Sequence, residues 1–391
     1  MIRIAFTLIG GKSWIGGHNY LINLLRIVTT NRPDLVKPVL FFGTDTDPEE
    51  SRPFEILKNI EIIMSPALNV NRRTSAQVMS VLFGSDKSTR RLFHEHKIDV
   101  VFENARFHGK NLGIPAIAWI PDFQHRELPH LFTKKSWWKR ELGFRMQIKS
   151  GRTVMVSSND SRRICERYYP GATGRTHVVR FAVLTTNQPS EETVTKVRKY
   201  YNIHSRYFYL PNQFWQHKNH LLVLEAVALL KQEHPDIVII ASGKEFDPNK
   251  PNHFKRIVTR RKELKIEDQF RLLGLVPYKD VTPLMVGSVA VLNPSLFEGW
   301  STTIEEAKGL QVPLILSDLS VHKEQADGIA RFFDRTSAPS LAKTLVKVWL
   351  GEPTKITKEG EGFKSNTHRI QRFADDFINL VRHVVTNQDQ T

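Results

Sequence analysis

The chain has 391 residues and a mass of 45.1 kDa, enough for two domains of ordinary size. Hydrophobic residues make up 40% and charged residues 25%, which excludes a disordered or coiled-coil chain. The single cysteine excludes a disulfide framework, and no apolar run approaches the roughly 20 residues that cross a bilayer. We therefore expect a soluble cytoplasmic protein whose first apolar run is a buried strand and not a signal peptide.

The charge is strongly basic and unevenly distributed. Fifty-six Lys and Arg residues face 40 Asp and Glu residues, a formal net charge of +16. The segment 86–180, about a quarter of the chain, holds 19 basic and 9 acidic residues and so most of the excess. Such a segment favours a polyanionic partner, which could be a nucleic acid, an anionic membrane surface or a phosphorylated substrate.

Short apolar runs alternate with longer amphipathic runs along the first half. The predicted strands are Ile2–Leu8, Val36–Phe42, Val100–Phe102, Ala116–Ile120 and Val154–Val156. The predicted helices are His18–Thr29, Ser75–Leu82, Ser88–His96 and Asp160–Tyr168. This alternation is typical of βαβ units and a parallel sheet.

A second alternating series follows a polar stretch, Thr185–Ser205. Its predicted strands are Tyr207–Leu210, Ile237–Ala241, Phe270–Leu273, Ala290–Leu292 and Pro313–Ser317. Its predicted helices are Asn219–Lys231, Phe254–Leu264, Lys279–Val286 and Ser301–Gly309, and a last helix covers Arg369–Val385. We predict two doubly wound α/β domains, 1–184 and 205–368, joined by a linker over 185–204. They are expected to meet at a cleft, with 369–391 packing back on the first domain.

A glycine-rich turn, Gly10–Gly17, joins the first strand to the first helix. Position 6 is Phe where a P-loop needs Gly, so the turn is not a P-loop. It either lets backbone approach a phosphate at a helix N-terminus or is a flexible turn without a ligand.

The segment Gln213–His220 is the counterpart of that turn in the second domain. Lys218 precedes a predicted helix N-terminus, a position that suits a diphosphate. Taken alone, a surface lysine beside a capping Asn219 is the better interpretation.

A third loop, Asn293–Ala307, follows the strand ending at Leu292. Ser301 and Thr302 are good helix caps, and the N–H groups of Ser301–Thr303 can bind phosphate. Glu298 in the loop and Glu306 in the helix could accept hydrogen bonds from sugar hydroxyls. The alternative is a capped helix with solvated carboxylates, which we expect for Glu305.

The run Ser295-Leu296-Phe297-Glu298-Gly299, followed by Glu306, resembles the E-x7-E motif of retaining family 4 glycosyltransferases with the GT-B fold. Further segments resemble this family in the same order. They are Gly16-Gly17 before a helix, Ser157-Ser158 before a helix, Lys218-Asn219, and the run Gly309–Asp318. The similarity covers most of the chain.

The resemblance implies a metal-independent hexosyltransferase (EC 2.4) without a cofactor, using a UDP- or GDP-linked sugar. Its second domain would bind the nucleotide sugar and its first the acceptor. Glu298 would contact the donor sugar, Glu306 the ribose, and Lys218 the diphosphate, as would the backbone of Gly16 and Gly17. The other implied donor-binding residues are Gln213, Gly299, Trp300, Ser301, Thr302 and Thr303.

Two departures from the family pattern affect the implied site. Asn212-Gln213 replaces the usual Gly-Arg, so Lys218 acts alone or with an arginine from elsewhere. The family's His-Asp after a strand of the first domain becomes Pro121-Asp122, with His125 displaced. Asp122 keeps the Asp position. His125 either orients the reactants or is a loop histidine that holds backbone.

The segment Phe132–Arg152 interleaves basic and aromatic residues, which is typical of an interfacial helix. The candidate contacts with a membrane or acceptor are Lys134, Lys135, Trp137, Trp138, Lys139 and Arg140. A core-packed helix with a solvated basic face is an equal alternative.

The sequence thus favours transfer of a sugar to a saccharide or lipid-linked saccharide, in cell-surface polysaccharide or glycolipid assembly. The enzyme could be peripheral on the cytoplasmic face of the membrane. The alternatives are a basic nucleic-acid-binding protein, for which no recognition motif is evident, and a sugar-nucleotide binder without transfer. No metal site is expected, because Asp45-Thr46-Asp47 is interpreted as an acidic surface turn and the 15 histidines lack zinc-ligand spacing.

Overall fold

The computed structural model describes residues 1–8, 15–104, 106–185, 188–352 and 365–387. They form two compact units, each built around one parallel sheet. The first unit comprises 1–123, 134–182 and 367–391, and the second comprises 124–133 and 183–366. This architecture confirms the predicted fold class of two Rossmann-like α/β domains.

The described part of the first unit contains a seven-stranded parallel sheet in the order β3-β2-β1-β4-β5-β6-β7. Its strands are β1 (Ile2–Thr7), β2 (Val36–Phe42), β3 (Glu61–Met64), β4 (Val100–Glu103), β5 (Ala116–Trp119), β6 (Thr153–Val156) and β7 (Thr176–Val178). The strand order reverses between β1 and β4, which pair directly through Ile4 and Val100. Central strands such as β4 and β5 are fully buried because helices cover both faces of a parallel sheet.

Helices of the first unit follow the strands in alternation. They are α1 (Ile15–Asn31), α2 (Pro48–Glu55), α3 (Arg73–Leu82), α4 (Lys87–Glu95), α6 (Lys134–Lys149), α7 (Asn159–Tyr168) and the C-terminal α15 (Asn366–Thr386); the short α5 (Gln124–Glu127) belongs to the second unit. The α15 helix packs on the first sheet, where the Phe377 ring lies 6.4 Å from Phe6 and 5.9 Å from Phe102. Helix α15 therefore contributes to the core of the first unit.

The described part of the second unit contains a six-stranded parallel sheet in the order β10-β9-β8-β11-β12-β13. Its strands are β8 (Phe208–Leu210), β9 (Ile239–Ala241), β10 (Phe270–Leu272), β11 (Val291–Asn293), β12 (Leu314–Ser317) and β13 (Ala330–Phe333). Its longer helices are α8 (Glu191–Tyr200), α9 (His220–Leu230), α10 (His253–Glu263), α11 (Tyr278–Val286), α12 (Thr302–Gly309), α13 (Ser320–Ala326) and α14 (Ala338–Trp349). The strand order reverses between β8 and β11, which pair through Tyr209 and Val291.

The segment 185–204 contains more structure than the word linker suggests. Its helix α8 packs on α11 and belongs to the second unit.

Asp45 and Asp47 hold the turn around α2, since Asp47 Oδ1 accepts from Glu49 N and Asp45 Oδ2 accepts from Val70 N. Among the described helices, none is both long and apolar enough to cross a membrane.

Candidate functional site

The edge of the second sheet where β8 and β11 end brings two loops together. In doubly wound sheets, ligands bind at this edge, at the point where the strand order reverses. The loop after β8 ends in a short 3-10 turn, Gln216–Lys218, and the loop after β11 precedes α12. Leu296 N donates to His217 O at 2.7 Å, so backbone joins the two loops directly.

Lys218 and Glu298 form an ion pair across these loops. Lys218 Nζ lies 2.5 Å from Glu298 Oε1, and the side chains are 15% and 11% exposed. Burial opposes ionisation of Glu298, but the nearby charges, with Lys218 the largest, lower the pKa of Glu298 below its ordinary value. The loops therefore present an ionised carboxylate and an ammonium group that are both partly open to solvent.

A chain of polar contacts supports Glu298 from the neighbouring strand β12. Ser295 Oγ lies 2.7 Å from Glu298 Oε1, and Ser317 Oγ donates to Ser295 O at 2.7 Å. His322 Nδ1 lies 3.1 Å from Ser317 O, so it carries the proton that the carbonyl accepts. Burial lowers the pKa of His322 to about 4, and the imidazole is neutral. Ser317 lies in the run Gly309–Asp318 that resembles the family, but the resemblance assigned it no role, and no motif pointed to His322.

The N-terminus of α12 is held firmly beside Glu298. Ser301 Oγ caps Ile304 N and accepts from Asn293 Nδ2 at 3.0 Å. Gln325 Nε2 donates to Ser301 O at 2.8 Å. These contacts fix the first turn, whose N–H groups at Thr302 and Thr303 have no acceptor within a helix. Such a turn can bind an anion.

Glu306 lies one helical turn further into α12 and is partly buried. Tyr278, the first residue of α11, donates its hydroxyl to Glu306 Oε1 at 3.0 Å. Burial raises the pKa of Glu306 to about 7, and the Tyr278 hydrogen bond acts in the opposite direction. Sequence reasoning found Glu306 but missed Tyr278, because their contact joins residues 28 positions apart.

The expectation that Glu305 is solvated is wrong. Its side chain is 1% exposed, and Glu305 Oε1 accepts from Lys308 Nζ at 3.0 Å and from Gln325 Nε2 at 3.0 Å. The reason is that α13 covers this side of α12 and supplies Gln325. Glu305 is a buried structural carboxylate, whereas its neighbour Glu306 turns toward Tyr278.

The residues that replace the family's Gly-Arg lie at the same edge. Asn212 is 3% exposed, and the segment at Gly243 passes close to it, because a Cβ added at Gly243 would stand 2.5 Å from Asn212 O. Gln213 is partly buried, and within the described part of the chain its Oε1 has no hydrogen-bond partner. Gly299 is buried and Trp300 partly buried in the Glu298 loop.

The predicted residues outside this edge have separate surroundings. Gly16 and Gly17 form the first turn of α1, while residues 9–14 of the glycine-rich turn lie outside the described residues. Asp122 forms an ion pair with Arg140 within the first unit, and Asp122 Oδ1 lies 2.7 Å from Arg140 Nη2. His125 is fully buried in the segment 124–133, which belongs to the second unit.

Helix α6 has one buried and one exposed face. Glu141, Gln147 and Ile148 are buried, and Tyr169 donates to Glu141 Oε2 at 2.6 Å. The exposed residues of the helix are Lys134, Lys135, Trp138, Lys139, Leu142, Arg145 and Lys149. Trp138 is 63% and Leu142 55% exposed, so apolar and basic groups share the solvent-facing side.

Part of the chain matches a known protein family. Residues 199–361 match the family model described as glycosyl transferases group 1. Glycosyltransferase 1 domain-containing protein 1 of Xenopus tropicalis is 21% identical over 253 residues, which cover 61% of this chain and 70% of that relative. The matched segment contains Lys218, Glu298 and Glu306.

Solved structures match the whole chain. The structure of Anabaena HepE in complex with UDP-glucose has a TM-score of 0.71 and 14% identity, with 100% of both chains covered. Sucrose-phosphate synthase of Thermosynechococcus elongatus has a TM-score of 0.69 and 14% identity, covering 99% of this chain and 100% of that one. The fold is GT-B. Together with the family match, it supports a glycosyltransferase (EC 2.4).

Proposed function

We propose that this chain is a retaining, metal-independent glycosyltransferase of family 4. It moves a sugar from a UDP- or GDP-linked donor to a saccharide or lipid-linked saccharide in polysaccharide or glycolipid assembly. The observation that carries the proposal is the Lys218–Glu298 ion pair at the edge where the second sheet reverses its strand order. It lies inside the segment that matches the group 1 model. HepE binds UDP and UDP-glucose, which favours UDP.

Each polar group at this edge has a role in the proposed donor complex. An ammonium group has three N–H donors, and among the described residues Glu298 takes one of those of Lys218, so we assign the others to the diphosphate. Glu298 Oε2 faces the donor sugar hydroxyls, and the Glu306 carboxylate binds the ribose. The turn Gly299–Thr303 and the Gln213 amide complete the donor contacts.

The main requirement of the reaction is to stabilise the negative charge that develops on the leaving diphosphate. In the proposed mechanism the acceptor oxygen attacks from the face that the diphosphate leaves. The acceptor proton passes to the departing diphosphate oxygen, so no enzyme carboxylate acts as the nucleophile. Lys218 and the first-turn N–H groups of α12 stabilise the negative charge, and Glu298 holds Lys218 in place. This machinery uses no metal and no cofactor.

The basic first unit suits an anionic acceptor or an anionic membrane surface. The exposed Trp138, Leu142 and Lys139 of α6 combine apolar and cationic groups, as interfacial helices do. We propose peripheral attachment through this face at the cytoplasmic leaflet, where lipid-linked saccharides are extended. Asp122 is paired with Arg140 of the same helix, and its acceptor-orienting role, like that of His125, belongs to this proposal.

The test is donor turnover in the presence of excess EDTA. The protein is incubated with UDP- and GDP-sugars and with saccharide and lipid acceptors, and the anomeric configuration of the product is read by NMR. We expect a product with retained configuration from the wild type and from Lys196→Ala, which removes an exposed lysine of α8. Nucleotide binding without any transfer would favour a sugar-nucleotide binder, and an inverted product would contradict retention.

A further inference from the structure

Tyr278 is an exposed aromatic residue with an unusual polar partner. Its ring is 64% exposed, yet its hydroxyl donates to a carboxylate, Glu306 Oε1, at 3.0 Å. Tyr278 opens α11 directly after Pro277, whose fixed φ holds the chain at this point. The contact therefore joins the loop after β10 to α12, two elements that both border the candidate site.

This contact changes the state of the Glu306 carboxyl group. Burial favours the neutral form, and the pKa of Glu306 rises to about 7. The Tyr278 hydroxyl counteracts burial because a donor to a carboxylate stabilises its charged form. Tyr209 of β8 is a second titratable group that interacts electrostatically with Glu306. Its hydroxyl lies 2.7 Å from Ser242 Oγ, and burial raises its pKa so that it carries no charge at neutral pH.

The neutral and ionised forms of Glu306 differ in what they offer a ribose. The ionised form accepts two hydroxyl hydrogens with charge-assisted bonds, whereas the neutral form has one oxygen occupied by its own proton. With Oε1 fixed by Tyr278, Oε2 is left for a ligand hydroxyl.

We propose that Tyr278 is a positioning residue that holds Glu306 Oε1 and so orients the carboxyl group for the ribose of the donor nucleotide. The inference rests on the proposed role of Glu306 and adds to it. It predicts that the hydroxyl of this exposed tyrosine increases nucleotide affinity, and that the increase depends on pH.

The experiment is calorimetric titration of the full chain with UDP and with GDP between pH 6.5 and 9. Tyr278→Phe removes only the hydroxyl. Tyr200→Phe, at a tyrosine of α8 that is 76% exposed, is the matched control. Glu306→Gln is the reference variant. Its side-chain amide does not titrate, so any pH dependence of binding that remains in this variant comes from the phosphates of the ligand. The nucleotide that the wild type binds more tightly is used for the comparison.

We expect Tyr278→Phe to shift the pH dependence of affinity upward. Loss of the hydroxyl removes a contact that favours the ionised form, so the carboxyl pKa rises further, a smaller fraction is ionised at pH 7 and the affinity falls severalfold. The difference between the two proteins should narrow toward pH 9, where both carboxyl groups are mostly ionised, and the difference that remains there measures the loss of orientation. Tyr200→Phe should follow the wild type throughout.

Two results separate failure of the inference from failure of the proposed function. If Glu306→Gln binds nucleotide as tightly as the wild type at pH 9, the ribose role of Glu306 is wrong. If Glu306→Gln weakens binding but Tyr278→Phe has the affinity of the wild type at every pH, only the role of Tyr278 is wrong. Tighter binding by Tyr278→Phe would also overturn it, because the hydroxyl would then compete with the ribose.

Discussion

Both sheets have charged residues at the edge where the strand order reverses, but these residues differ in burial and in their hydrogen-bond partners. At the β8–β11 edge, Lys218 and Glu298 are partly exposed, and Lys218 has one carboxylate partner among the described residues. At the β1–β4 edge, Glu103 is 0% exposed and accepts from both Arg152 and the backbone N–H of His108. Arg152 in turn donates to Gly109 O at 2.6 Å.

The difference separates charges that are fully engaged by protein atoms from charges at which we propose ligand binding. At the end of β4 the charges are satisfied by protein atoms, so their removal should cost stability. In the loop after β8, the Lys218 ammonium group pairs with Glu298 through one N–H donor among the described residues, so we expect its removal to cost ligand chemistry instead. Each prediction below tests one side of this comparison.

The largest effect is expected at the buried pair of the first unit. Arg152→Ala leaves Glu103 buried without its cation, which should lower the free energy of unfolding by about 3–5 kcal/mol. Urea denaturation followed by circular dichroism measures this change. Arg163→Ala, at a surface pair with Asp160, is the control and should cost less than about 1 kcal/mol. Equal losses would show that burial of the Glu103 pair has no special consequence.

Lys218→Ala should lower activity with little change in stability, which is the opposite of the result expected for Arg152→Ala. Loss of a group that stabilises charge in the transition state lowers kcat about 10²–10³-fold, equivalent to about 2.7–4 kcal/mol, and kcat should fall more than donor affinity. The Tm should stay close to that of Lys196→Ala. A variant with near-normal kcat would make Lys218 a structural partner of Glu298, and the two edges of the comparison would then be alike.

Glu306→Ala tests whether the second edge binds a nucleotide. Removal of a charge-assisted hydrogen bond to ribose should weaken nucleotide binding by about 1.5–3 kcal/mol, measured by calorimetry at pH 8, where the carboxyl group is mostly ionised. Glu324→Ala, at an acidic residue of α13, is the control. An unchanged affinity in a folded variant would contradict the ribose assignment.

The sequence predicts the central strands and the order of the motifs, and it fails where tertiary packing decides. Runs such as Val36–Phe42 are apolar because both sheet faces are covered, so they are visible in the sequence. The edge strands β3, β7 and β13 are short and only partly buried, and they were missed. Their apolar patterns are too short to differ from those of loops.

The candidate site shows the same limit. Lys218 and Glu298 were selected through a family resemblance, and their contact spans 80 positions that no local pattern could relate. His322 and Tyr278 carry no motif, and only packing reveals their polar partners. Helical spacing separated Glu305 from Glu306 correctly, but which of the two would be buried depended on the cover by α13.

The smallest effect concerns the exposed face of α6, which extends the comparison to the surface of the two units. Each basic residue near an anionic leaflet contributes about 1 kcal/mol to attachment, and an exposed tryptophan adds contact in the headgroup layer. Lys139→Ser should therefore lower the ratio of vesicle-bound to free protein about fivefold with anionic vesicles at low salt. The matched Lys262→Ser, at an exposed lysine of α10 in the second unit, should not change it. Trp138→Ser separates the apolar contribution, because the binding lost in this variant should also be lost at high salt, where charge attraction is screened.

If the wild type floats with neither anionic nor neutral vesicles at low salt, the membrane proposal is wrong, and a soluble anionic acceptor becomes the better explanation for the basic first unit.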